Sequence, residues 1–249
     1  MMGSAEVRMN RAPARRSAAA QLTITETKLL SRDPGAFFTL VIPVFILIAF
    51  GSSVSAGDVT LLPMTLAISV ALVALYLMPT ALATYREKGI LRRLSTTPVR
   101  PGIILVVQLA LQVAMAWGAG ILLILGAMVL YGAQIPADAP ALLGVYALGT
   151  LAVFSLGLVI AAVAPSGRAA NGIGVLLYFP LAYLAGLLQP TPLMPATMVR
   201  IGEFTPLGAF RSVLHDVWTT QPLEPAPLVL MAAYAVVLTL VAVKLFRWE

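Results

Sequence analysis

Cysteine is absent from this 249-residue chain, histidine occurs once, and only 10% of residues are charged. Without cysteine there is no disulfide framework and no thiolate metal site, although the compartment stays open. The three lysines are Lys28, Lys88 and Lys244, and none follows a glycine. A phosphate-binding loop needs a Gly-Lys-Ser/Thr ending so that amides and lysine can hold phosphates, and none is present. There is no HExxH, no pair of membrane aspartates, and no serine suitably paired with the single His215. Hydrolysis therefore has no visible machinery, and His215, beside Asp216, reads as an ordinary interfacial residue. Long polar stretches are missing too, which leaves no room for a soluble catalytic domain.

What fills the chain instead is hydrocarbon. Hydrophobic residues make up 60%, and mean hydropathy is +0.95. Six uncharged runs stand out: Pro34–Gly57, Val59–Tyr85, Pro101–Ala137, Ala139–Gly167, Ala169–Val199 and Pro225–Val243. About 20 apolar residues carry a helix across a ~30 Å hydrocarbon core, so each run has the length for one span. None shows the period-two alternation of a barrel strand, and in lipid the backbone must satisfy itself, so the runs read as helices. The expected fold is all-α and polytopic, with six transmembrane helices. Their expected spans are 36–55, 60–84, 102–131, 140–164, 170–188 and 225–244, following a basic tail (1–17) that reads as disordered. Residues 18–249 then form a single transmembrane domain.

Charge placement gives the orientation. With the N-terminus inside, 14 of the 16 basic residues fall on the cytoplasmic side, leaving Arg200 and Arg211 outside. The N-in/C-in arrangement is therefore expected, and Asp58, Asp138, Glu203, Asp216 and Glu224 opposite agree with it. The net charge of +6 flanks the apolar runs, as suits an anionic leaflet rather than nucleic acid. Arg15-Arg16 lacks the apolar stretch that would follow it in a cleaved signal. Residues 18–32 read as an amphipathic interfacial helix, with Leu22, Leu29 and Leu30 on its apolar stripe.

Two connections are long. Residues 86–100 form a dense cytoplasmic element in which Ile90, Leu91 and Leu94 share an apolar face and Arg92 and Arg93 point away. Pro98 disfavours helix at Thr97, and Pro101 suits the first turn of the next span. On the other side, residues 189–222 are apolar but interrupted by Pro190, Pro192, Pro195 and Pro206. Short helices dipping into the outer leaflet are expected there, because irregular backbone at that depth must be packed in protein.

The pattern resembles the membrane subunits of type-2 ATP-binding-cassette exporters, especially permeases linked to drug resistance. Tyr85, Arg86, Glu87, Gly89, Leu91, Leu94, Thr97 and Pro98 are similar to that family's charged loop before helix three. Gly186, Pro190, Met194, Pro195, Pro206 and Arg211 are similar to its glycine–proline segment after helix five. The resemblance implies a dimer of permeases driven by separate ATPase subunits, with ATP and Mg held there and no cofactor on this chain. It implies coupling to the ATPase through Glu87, Gly89, Ile90, Leu91, Arg92, Arg93, Leu94, Thr97 and Pro98. An external gate would involve Gly186, Pro190, Pro195 and Pro206. The family's central path, mapped here, runs past Met64, Ile68, Leu75 and Met78 of helix two and Tyr178, Phe179, Ala182 and Tyr183 of helix five.

Aromatic and methionine surfaces suit large apolar substrates, so a drug-like molecule or a lipid is expected. The same residues equally suit lipid-facing or core positions. An ion-coupled carrier is the rival within transport, but no Asp, Glu, Lys, Arg or His sits at a predicted helix centre. Gln108 and Gln112, one turn apart, are the most polar pair within a span and serve either interhelical hydrogen bonding or a pore. An intramembrane enzyme or a purely structural subunit are the remaining alternatives. The reading is a permease of an ATP-driven exporter in a prokaryotic plasma membrane, with membrane lipid, a second copy and an ATPase as partners.

Overall fold

The computed structural model describes residues 23–24, 27–29, 32–51, 60–89, 101–136, 138–189 and 191–245. Every element among them is helical: α1 (Pro34–Gly51), α2 (Leu61–Glu87), α3 (Pro101–Tyr131), α4 (Ala139–Val163) and α5 (Gly167–Leu184) are followed by two short helices, α6 (Ala196–Glu203) and α7 (Pro206–Trp218), and by α8 (Pro225–Leu245). Five of these, α1, α2, α3, α4 and α8, are long and apolar enough to cross a membrane. The chain is therefore a multi-pass membrane protein. Helix α5 carries Arg168, Asn171 and Pro180 in 18 residues and is not among the five.

Helix starts follow short polar side chains that accept from the first free amides. Asp33 Oδ1 accepts from Gly35 N (2.8 Å), Asp138 Oδ1 from Ala141 N (2.9 Å), and Ser166 Oγ from Ala169 N (3.1 Å). Prolines 34, 140, 206 and 225 stand in first turns, where a missing N–H does no harm. The end of α5 is set by Gly186. Its φ of +71° lets Leu187 N reach Ala182 O (2.8 Å) and Gly186 N reach Tyr183 O (2.9 Å), a Schellman closure. Alanine at 186 would sit in the left-handed region with its Cβ 2.8 Å from Thr191 Oγ1. Gly186→Ala is expected to cost about 1–2 kcal/mol, seen as a fall of a few degrees in detergent melting temperature.

Contacts fix which ends lie together. Tyr131 Oη donates to Ile48 O (3.0 Å) and Trp218 Nε1 to Gln134 O (3.2 Å), so the closes of α1, α3 and α7 share one end. Arg86 at the close of α2 meets Ala162 and Ala164 at the close of α4, beside the start of α5, at the opposite end. The chain thus runs up and down between a Trp218 end and an Arg86 end. Arg32, Arg86, Lys88, Arg168 and Lys244 all gather at the Arg86 end.

Helix α2 is the hub. Some 78% of its span is buried, against 67% for α4, 28% for α1 and α3, and 11% for α8. Its neighbours approach closely through small residues, as helices do where lipid removes the hydrophobic drive to associate. The flanks carry exposed Phe37, Phe45, Val129, Leu176 and Val243, apolar surface suited to hydrocarbon.

Candidate functional site: the clasped α4–α5 turn and the re-entrant hairpin

At the Arg86 end, two consecutive side chains of α2 hold the turn between α4 and α5. The Arg86 guanidinium donates to Ala162 O (3.0 Å) and to Ala164 O, the last carbonyls of α4. Glu87 Oε2 accepts from Gly167 N (2.9 Å), the first amide of α5. Each charge faces the helix end of opposite partial charge, so the macrodipoles of α4 and α5 reinforce both contacts. Gly167 also lies against Thr84, with no room for a Cβ: one placed there falls 2.0 Å from Thr84 Oγ1. The sequence signal was present as Tyr85-Arg86-Glu87, but its partner lies 80 residues on.

Above this clasp, α2 widens into a π-helical turn, Val73–Leu77, where Met78 N bonds to Val73 O five residues back. Pro79 accounts for it. Proline has no N–H to return to Leu75 and its ring would collide with that carbonyl, so the helix opens by one residue. Two glycines press on the carbonyls that Pro79 leaves behind. A Cβ on Gly157 of α4 would fall 1.9 Å from Ala74 O, and one on Gly174 of α5 would fall 1.9 Å from Leu75 O. Neither Pro79 nor these glycines was singled out from sequence; a proline in mid-span was the available sign.

At the Trp218 end, α6 and α7 form a hairpin that re-enters the bundle. Its turn is built by Thr205, whose Oγ1 accepts from Gly208 N (3.0 Å) and donates to Gly202 O (2.8 Å). Gly202 rests on Leu184 O at the close of α5, and Gly208 rests on Gly202 O. Leu207, Phe210, Val213 and Leu214 of α7 are buried, with Phe210 seated on Gly149 and near Tyr146 of α4 (ring centroids 5.8 Å). Arg211 reaches Thr191 Oγ1 (3.4 Å). Near the Trp218 end, burial pushes the Asp216 carboxyl up; His215 and Arg211 oppose the shift and Glu224 adds to it.

The predicted site residues fall as follows. Glu87 and Gly89 close α2, while Ile90, Leu91, Arg92, Arg93, Leu94, Thr97 and Pro98 lie outside the described residues, as does Pro190. Gly186 ends α5, Pro195 precedes α6, and Pro206 opens α7. Of the path residues, Ile68, Leu75, Met78 and Ala182 are buried inside the protomer, and Met64, Tyr178 and Tyr183 are half-buried. Phe179 is exposed, edge-on to Tyr178 at 5.5 Å. The eight do not share one surface. Gln108 and Gln112 are also buried, and the Gln112 amide has no hydrogen-bond partner among the described residues. Of the 18–32 segment, residues 23–24 and 27–29 are helical, with Ile24 and Leu29 exposed.

A helical bundle with a hub helix, a clasped connection at one end and a re-entrant hairpin at the other defines a multi-pass helical membrane domain. The sequence profile of the ABC-2 type transporter family matches residues 18–216. The chain belongs to that family and is a membrane permease component rather than an ATPase. No curated protein matches the chain.

Proposed function

We propose that this chain is the permease of an ATP-driven exporter, crossing the membrane six times with α5 as the fifth span. Both termini and the Arg86 end face the cytoplasm, in keeping with 14 of 16 basic residues on that side. Two copies form the path and two ATPase subunits drive it, binding ATP and Mg themselves. The observation that carries this reading is the family match over residues 18–216. It is supported by the 86–100 element, which follows directly from a helix end locked to the α4–α5 turn, so a push there reaches three helices at once. The hairpin at Gly186–Trp218 acts as the outer gate. The cargo is a hydrophobic drug-like molecule or a lipid, consistent with the methionine and aromatic content of α2 and α5.

The test is Leu91→Asp. On the apolar side expected of the 86–100 element from its sequence, a carboxylate at position 91 removes an anchor from the proposed ATPase interface, a change of a few kcal/mol where such an anchor is buried. Co-purification of the ATPase should fall at least tenfold and ATP-dependent efflux with it, while the amount of permease in the membrane stays unchanged. Unaltered co-purification together with unaltered efflux would remove the segment from the coupling role.

A further inference from the structure

One cation of the hairpin is short of partners. Arg211 leaves α7 half-buried, and its Nε is sealed from solvent with no hydrogen-bond partner among the described residues. A guanidinium carries five N–H donors in a planar fork and stays charged at any accessible pH. Here Nη1 donates to Thr191 Oγ1 over 3.4 Å, a long contact for a charged donor. Asp216 is the acid whose charge acts on Arg211, yet five residues of helix set it about 140° around α7 from that side chain. A cation so enclosed ordinarily faces an anion or a water-filled cavity.

Helix α5 sets the level at which the fork ends. Its 18 residues rise about 27 Å from Gly167, close to the hydrocarbon thickness. The loop after Gly186, which holds Thr191, then lies where headgroups begin. Gln189 Nε2 donates to Leu193 O (2.9 Å) and so ties this loop around Thr191. A Cβ on Gly186 would sit 2.8 Å from Thr191 Oγ1, so glycine leaves the hydroxyl uncrowded. That hydroxyl accepts from Arg211 and keeps its own proton to donate. On either side of it, Leu188 is 53% exposed and Leu193 70%.

We propose that Arg211 and Thr191 bind the phosphate of an anionic membrane lipid at the Trp218 end, with the lipid's chains lying on Leu188 and Leu193. The inference rests on the reading of α5 as the fifth span and needs neither the dimer nor the ATPase. A guanidinium fork matches two oxygens of one phosphate, and the Thr191 hydroxyl supplies a further donor to the same group. Free phosphate offers the same oxygens; the exposed leucines beside the fork favour an amphiphile. A headgroup held there bridges the loop after α5 to helix α7, and it supplies the counter-charge that Arg211 lacks.

The test titrates the purified full-length permease with dioleoyl phosphatidylglycerol and counts bound lipid by native mass spectrometry. Arg211→Gln should bind about tenfold more weakly, as expected for loss of a charge-assisted hydrogen bond. Thr191→Val should weaken binding severalfold, and Arg200→Gln, at an exposed arginine of α6, should leave it unchanged. Equal losses at 200 and 211 would mean a diffuse basic surface and overturn the site. Arg211→Lys keeps the charge without the fork and is read in place of Arg211→Gln if the latter does not accumulate. Wild-type affinity in it would likewise overturn the site. Millimolar inorganic phosphate that protects the protein from heat as well as the lipid does would make this a free-anion site and overturn the amphiphile. The span is checked separately by Lys88→Cys and Gln189→Cys in this cysteine-free chain. An impermeant maleimide should label them from opposite faces of the membrane. Labelling from one face would sink the span and the headgroup site with it, whereas opposite labelling with unaltered lipid affinity in Arg211→Gln would sink the site alone.

Discussion

Gly174→Ala is expected to destabilise the protein by about 3 kcal/mol or more, while Gly172→Ala, two residues away in the same helix, stabilises it slightly. The Cβ at 174 falls 1.9 Å from Leu75 O, and what it meets is backbone, which has no rotamer to escape into. Overpacking a well-filled site costs about 1–3 kcal/mol, more when the obstacle is rigid. Relief would require α5 to move away from the π-helical turn and so to loosen the contacts at Gly167 and Gly202. Gly172, by contrast, has nothing within 4 Å of its missing Cβ. There, alanine recovers up to about 1 kcal/mol of helix propensity. Gly157→Ala on α4, aimed at Ala74 O, should behave like Gly174→Ala. Melting temperature in detergent, read by fluorescence-detected size exclusion, gives the sign of each change. Equal melting temperatures for the 172 and 174 variants would show that the α5–α2 contact is looser than drawn.

The contrast between those glycines also marks what could be read from residues alone. The existence of the long helices followed from uncharged length, and most starts from Asp, Ser or proline at the boundary. The break after residue 184 was legible in Gly186, and the short helices beyond it in the spacing of Pro195 and Pro206. Facing was not legible. In a bilayer both lipid and neighbouring helices are apolar, so a helix that is hydrophobic all round gives no stripe to orient it. Ile68, Leu75 and Met78, assigned from the resemblance to a central path, are buried among the helices of this chain, and their apolar character alone gave no sign of which neighbour each would face. The π-helical turn depended on Pro79 together with two glycines from other helices, and no local pattern joins residues 79, 157 and 174. Glu87 was read from its loop as a contact for another chain. The fold also gives it Gly167 N, an assignment that needs the third dimension.

That bond leads to the second large effect, in which helix-end polarity rather than simple pairing decides the outcome. Glu87 sits at the positive start of α5 and Arg86 at the negative close of α4. A hydrogen bond to a charged group contributes about 1.5–3 kcal/mol. Losing about 2 kcal/mol corresponds to ~30-fold in an opening equilibrium. Glu87→Ala should therefore raise hydrogen exchange of the Gly167 amide and its neighbours by about that factor. Glu87→Gln keeps an acceptor but not the charge and should fall between, whereas Glu87→Lys places a cation at a helix start and should be worst. The exchanged pair, Arg86→Glu with Glu87→Arg, separates this account from an ordinary surface ion pair. It would aim a carboxylate at the carbonyls of residues 162 and 164 and a guanidinium at an amide donor, so it should be no better than Glu87→Lys. Under the exporter function proposed above, ATP-driven efflux should follow the same order, because α2 would no longer carry the α4–α5 turn with it. Wild-type exchange and efflux in the swapped variant would mean that the two charges only solvate the membrane edge.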